Sequence, residues 1–247
     1  MEKDYFKMKT NPNNSFKPNK VDGILVIIYF CFSRIYSYFH GWIRYRTDLL
    51  NNLTGIIENS SIQRLVFSIP SFIIYMVPII LIIKFRKQSF ETVGITKKNL
   101  LKSILLGITF SFPILLPEVV LGLINNFKLA SMDKLIPDFI YMLISISFVE
   151  ELAFRGFIQS RIRGILKSKW FSILVVGVMF SVSHIPYQML LHDVNLITYV
   201  QENLFFLAVF CIIFHIYVLF IYSKTNNILA PTITHALINL TTLIFIN

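Results

Sequence analysis

Three groups of polar side chains fall inside long apolar runs and carry the chemistry this chain can do. The run Phe148-Val149-Glu150-Glu151-Leu152-Ala153-Phe154-Arg155-Gly156 holds two carboxylates and a guanidinium. Helix geometry gives the two glutamates different tasks. Glu151 and Arg155 are four apart, on one face and in the favourable acid-first order, so they can pair. Glu150 points about 100° away and has no local partner. A carboxylate free of an ion pair is the candidate general base. All three could simply sit at the cytoplasmic end of a helix, but Phe157 and Ile158 continue the apolar run. The second group, Phe180-Ser181-Val182-Ser183-His184, puts an imidazole one turn after an aromatic ring. A lone histidine at a helix end is more often structural. The third group runs from Asn227 to Asn239 and places His235 and Asn239 four apart on one face. Pro231 falls in its first turn, where a missing N–H costs least. Such a pair needs a polar partner or a cleft; an interhelical hydrogen bond worth about 1 kcal/mol is the modest alternative. Together the groups supply a carboxylate, two imidazoles and a carboxamide. That set can activate water and hold an oxyanion. Glu150, His184 and His235 are also donors of the kind that bind a divalent metal such as zinc, with a fourth position open.

These groups must be positioned by helices in a bilayer. The chain has 247 residues, 55% apolar and 15% charged, with 24 phenylalanines and a mean hydropathy of +0.66. Soluble domains carry roughly 25% charged residues, so an ordinary cytosolic enzyme is not expected, and disorder is excluded. Cys31 and Cys211 cannot make a disulfide scaffold. Seven apolar blocks approach the ~20 residues of a spanning helix: 23–43, 64–83, 103–125, 138–158, 170–185, 203–222 and 228–246. The fifth ends before Pro186, a helix-stop signal. The expected fold is therefore all-α, a polytopic transmembrane helix bundle of about seven spans.

The net charge of +10 reads as an orientation signal. With the N-terminus cytoplasmic, sixteen of the lysines and arginines fall in inside segments and five in outside ones, in line with the positive-inside rule. The C-terminus is then expected outside. The basic residues cluster at inner helix ends, where anionic lipid attracts them. They form no aromatic-interleaved patch, so no nucleic-acid partner is expected. No cleavable signal peptide is expected either.

The three groups, in this order and on separate apolar helices, resemble the motifs of the CPBP intramembrane proteases. That family includes type II CAAX prenyl endopeptidases and the bacteriocin-immunity Abi group. The resemblance covers about 138–246, and it implies a peptide-bond hydrolase acting on a membrane-associated peptide or protein. Glu150 would be the base, and His184 would help position the attacking water. His235 and Asn239 would stabilise the oxyanion, while Glu151, Arg155 and Phe180 would support the site. The family is often described as metal-dependent, yet a metal-free glutamate–histidine mechanism uses the same residues, and both stay open here. No H-E-x-x-H occurs in the chain. The family's penultimate helix usually carries small residues, whereas 203–222 has no glycine.

By domain, 1–22 is expected as a disordered basic cytoplasmic tail, and 23–247 as a single transmembrane domain with a protease-like core over 138–246. Ile-, Phe-, Lys- and Asn-rich usage suggests an AT-rich, bacterial genome, hence a bacterial cell membrane and a role in peptide pheromone or bacteriocin processing or immunity. Two other classes stay in view: a non-catalytic membrane scaffold or self-immunity protein with the same fold, and a small proton-coupled transporter. Outside the three groups, Arg34 reads as snorkelling or paired, Glu118 as a buried carboxyl beside Pro117, His215 as a hydrogen-bonded core residue, and His192 and Asp193 as solvated.

Overall fold

The computed structural model describes residues 16–48, 57 and 59–246. Most of the expected tail over 1–22 lies outside these residues. In chain order the helices are α1 (Lys20–Arg46), α2 (Ser60–Phe85), α3 (Leu100–Ile124), α4 (Met132–Tyr141), α5 (Lys169–Ser183), α6 (Ile185–Leu191), α7 (Leu196–Glu202), α8 (Cys211–Thr225) and α9 (Leu229–Leu240). Two short strands, β1 (Lys128–Leu129) and β2 (Phe245–Ile246), pair antiparallel, Lys128 with Ile246 and Leu129 with Phe245. Local chemistry starts the helices. Asn19 and Asp22 form a reciprocal capping box on α1, and the Asn59 carboxamide accepts from Ser61 N and Ile62 N at the head of α2. These contacts satisfy amide donors that no helix end can satisfy internally.

Five helices among the described residues are long and apolar enough to cross a membrane: Lys20–Arg46, Ser60–Phe85, Leu100–Ile124, Lys169–Leu191 and Phe206–Thr225. Their exposed positions are rich in large apolar side chains such as Ile28, Leu81, Leu105 and Ile213, as a lipid-facing surface requires. The protein is thus an all-α membrane helical bundle, and block 23–43 lies within one of the five. Blocks 138–158 and 228–246 are not among them. The last block forms only the 12-residue α9 before the chain turns into β2. At ~1.5 Å per residue such a helix is about 18 Å long, short of a ~30 Å hydrocarbon core. Block 138–158 is helical throughout but changes character. After α4 it passes through Met142–Phe148 and Leu152–Ile158, both wider π-helix, with one α-helical turn, Val149–Glu151, between them. Wide turns of this kind recur at functional sites.

The chain divides into two compact units, one built from Ile57–Gly156 and Val218–Asn247, the other from Asn14–Ile56 and Phe157–Tyr217. In the first, α9 lies hard against α3. A Cβ on Gly107 would come within 2.7 Å of Ile233 Cβ and 2.9 Å of Ala230 O, and Thr234 Oγ1 donates to Gly107 O at 3.0 Å. α2 is tied to the α4 stretch by Arg64–Asp138 at 2.9 Å and by Ser68–Ser145 at 2.6 Å. In the second, Gly41 of α1 packs on Tyr187 and Leu190 of α6, and Tyr45 and Tyr187 share a 2.9 Å hydrogen bond. Gly177 of α5 meets Ile212 and His215. The small residue missing from the penultimate block is thus supplied by the facing helix.

Candidate functional site

Glu150, Glu151, Arg155, His235 and Asn239 belong to the first unit; Phe180 and His184 belong to the second. In the first unit, the turn Val149–Glu151 presents its two carboxylates differently, as their 100° offset predicts. The Glu151 side chain is fully buried, whereas that of Glu150 is 28% exposed. Arg155 Nη1 lies 3.1 Å from Glu151 Oε1, and this guanidinium is also fully buried. The expected i,i+4 pair therefore forms, although Arg155 stands on π-helix. A Cβ on Gly156 would lie 2.4 Å from Val93 O, so the backbone just after Arg155 is pressed against its neighbour and only glycine fits.

The same Glu151 oxygen has a second partner that local spacing cannot foresee. His235 Nδ1 lies 2.8 Å from Glu151 Oε1. With a guanidinium beside it, this oxygen is the acceptor, so His235 donates from Nδ1. That fixes the ring and turns Nε2 toward Glu150, whose Oε2 is 3.9 Å away. The gap is beyond direct hydrogen-bond length. Asn239 follows one turn later on α9, on the face of His235.

Asn227, read from sequence only as the first residue of the last motif, sets where α9 begins. Its Oδ1 accepts from Leu229 N at 3.0 Å, and its Nδ2 donates to Thr96 O and Lys98 O at 2.9 Å each. An asparagine just ahead of an apolar helix is a recognisable start signal.

In the second unit, His184 sits at the junction between α5 and α6, with φ −77° and ψ −23°. Pro186 falls in the first turn of α6, so the expected stop is a break between two helices. The His184 ring folds back on α5. It meets Phe180 edge-on at 4.8 Å, and its Nδ1 lies 2.9 Å from Phe180 O. A carbonyl only accepts, so Nδ1 carries the hydrogen and Nε2 keeps a lone pair. Cys211 Sγ lies 3.9 Å from the same Nδ1. His215 is fully buried and contacts Gln159 Oε1 at 3.2 Å, a hydrogen-bonded core residue as expected. Glu118 is exposed in α3, not buried. α3 runs on through Pro113 and Pro117. Asp193 is not simply solvated: it pairs with Arg46.

A catalytic zinc takes three protein ligands. In the first unit, Glu150 and the His235 Nε2 supply two donors, while Glu151 Oε1 is engaged by Arg155 and His235. Among the described residues no group of three or more His, Cys, Asp or Glu side chains could hold a metal ion.

An apolar helical bundle with a buried Glu–Arg–His cluster and an adjacent, partly exposed carboxylate defines the class as an integral membrane helical protein with a polar cluster among its helices. Residues 132–241, a little under half of the chain, match the family model described as type II CAAX prenyl endopeptidase Rce1-like. This confirms the resemblance carried by the motifs, all of which lie inside the matched stretch. The stretch is thus similar to a protease family, the CAAX-type intramembrane endopeptidases. No curated protein and no solved structure matches the chain.

Proposed function

We propose that this protein is an intramembrane endopeptidase that hydrolyses a peptide bond in a membrane-associated peptide or protein. The observation that carries this reading is the 2.8 Å Glu151–His235 contact, which aims His235 Nε2 at the partly open Glu150 carboxylate 3.9 Å away. Glu150 takes a proton from water as the oxygen attacks the scissile carbonyl carbon. His184 keeps an Nε2 lone pair that can accept a hydrogen bond from water, the role the motif resemblance gives it. The carbonyl oxygen becomes an oxyanion and accepts from His235 Nε2–H and the Asn239 amide. Donation from Nε2 requires both His235 ring nitrogens to carry hydrogen, and Glu151 on the far side is the counter-charge for that form. The intermediate then collapses with cleavage of the C–N bond, and Glu150 returns its proton to the leaving amine. Arg155 keeps Glu151 in place.

The substrate presents extended backbone, because helical amides already hydrogen-bond within the helix. Composition and charge distribution support a bacterial cell membrane with the N-terminus cytoplasmic and the C-terminus outside. Pheromone maturation, or bacteriocin processing or immunity, is the role that fits such a setting. The test uses the purified full-length protein and a membrane-tethered reporter peptide that the wild type cleaves. Glu150→Ala and His184→Ala should each lower turnover by about 10²–10⁴-fold, the usual share of a positioned acid–base group. Unchanged cleavage by either variant defeats the assignment. Full protection of cells by Glu150→Ala at normal abundance favours the non-catalytic immunity protein instead.

A further inference from the structure

We propose that Arg34 is a positioning residue that clamps the helix break carrying His184. The inference rests on the reading of His184 as the residue that holds the attacking water.

Arg34 lies within α1, a helix apolar and long enough to cross a membrane. A guanidinium in that setting is costly and calls for specific partners. Its Nη1 donates to Ser183 O. Its Nε and Nη2 lie 3.3 Å from the Ser33 hydroxyl, and its Cζ stands 5.5 Å from the centre of the Phe30 ring. The Ser183 contact spans 149 residues of sequence, so it joins α1 to the end of α5.

That end is short of donors. The last carbonyls of a helix have no partner within it and form its negative pole. Here the deficit is deepened by Pro186, which has no N–H to offer the carbonyl four residues earlier, that of Val182. Arg34 brings a cation to this negative pole and a donor to one of its carbonyls, that of Ser183.

Ser183 O and His184 N belong to one peptide plane, and that plane is held on both sides. His184 N–H donates to Ser181 O at 3.1 Å, and Ser183 O accepts from Arg34. The plane sets the direction of the His184 Cα–Cβ bond, and through it the fold-back of the ring onto Phe180 O. Without the guanidinium, the plane can rotate at the break, the Nδ1–H···O=C contact is no longer enforced, and Nε2 loses its fixed direction.

The test uses full-length protein in lipid nanodiscs, labelled with ¹⁵N-histidine, with His184 assigned by the signal missing from His184→Gln. Wild type should show His184 in the Nδ1–H form. Arg34→Met keeps the apolar stem and removes the donors. It should give a mixed-tautomer His184 signal and lower reporter turnover by about 10–100-fold, the range expected for misplacement of an otherwise intact group, with KM within about 2-fold. Arg34→Lys keeps a charged donor and should retain the wild-type signal with most of the turnover. It also stands in if Arg34→Met does not fold. Arg46→Ala, on the same helix, is the neutral control. An unchanged His184 signal in Arg34→Met, or its loss in a folded Arg34→Lys, overturns the proposal. If the His184 signal follows Arg34 but the wild type cleaves no reporter, the clamp stands and the hydrolytic reading falls. If the wild type cleaves and the signal ignores Arg34, the reverse holds.

Discussion

The two histidines of the motifs, one in each compact unit, are held in contrasting ways. His235 donates from Nδ1 to a carboxylate, that of the buried Glu151. His184 donates from the same ring nitrogen to a backbone carbonyl, that of Phe180. A carboxylate can balance a positive ring, whereas a carbonyl dipole only orients one. The contrast suits different tasks: His235 can lend hydrogen to developing negative charge, and His184 can offer a lone pair to water. It also sets different vulnerabilities. The His235 arrangement depends on side-chain charges brought together from distant parts of the chain, while the His184 arrangement depends on its own helix end and on what holds that end.

The sharpest way to break this contrast is at Glu151. Glu151→Leu leaves Arg155 buried without its counter-charge and His235 without its acceptor. Removing one partner of a buried pair costs about 3–5 kcal/mol, measured by thermal or denaturant unfolding in detergent. Reporter turnover should vanish as well. Adding Arg155→Met removes the stranded charge and should restore most of the stability without restoring turnover. Recovery of activity by the double variant would show that Glu151 has no part in the chemistry through His235. A loss confined to stability in Glu151→Leu, with turnover per folded molecule intact, would erase the proposed difference between the histidines.

The next effect comes from the backbone beneath His235. Gly107→Val places methyl groups where Ile233 and the Ala230 carbonyl already stand. Overpacking of this kind costs about 1–3 kcal/mol and pushes α9 away from α3. His235 and Asn239 ride on α9, so the ¹⁵N signal of His235 should shift while that of His184 stays. An unchanged His235 signal would mean that α9 is held by something other than this contact.

Sequence made the polar groups legible because charges inside apolar runs are costly and need a reason. It also made the Glu151–Arg155 pair and the separate direction of Glu150 legible, since both follow from residue spacing on one helix. The Glu151–His235 contact was not legible: its partners are 84 residues apart, and local periodicity says nothing about such distances. The Arg34–Ser183 contact was hidden for the same reason, and Arg34 could be read only as a charge in need of a partner. Hydropathy counted blocks of apolar residues, but it does not register how long a helix lasts. Hence 228–246 looked like a span although its helix stops at Leu240. The wide turns around Glu150 had no signature in the residue pattern.

A smaller effect is expected beside His184. Cys211 Sγ, 3.9 Å from Nδ1, is a weak acceptor for a hydrogen already taken by Phe180 O. Cys211→Ala removes one sulfur from a buried position and should cost at most about 1–2 kcal/mol, with the Nδ1–H signal of His184 retained. Conversion of His184 to the other tautomer would show that the thiol, not the carbonyl, orients the ring, and the contrast drawn above would then rest on the wrong acceptor.

The smallest effect belongs to Asp193 in the second unit. The Arg46 guanidinium holds the Asp193 carboxyl below its usual range, first by a hydrogen bond and then by its charge. A carboxyl held low when folded adds stability that is fully present above its unfolded value of about 3.9 and is lost as pH falls through the lower folded value. Because the pair is exposed, solvent and salt screen it. Asp193→Asn should therefore lower Tm slightly at pH 7 and low salt. That difference should fade in high salt and disappear once the pH falls below the folded value. The His184 signal should not respond at any of these conditions. A response there would tie the C-terminal end of α1 to the histidine and would make Arg46 a second clamp rather than the neutral control.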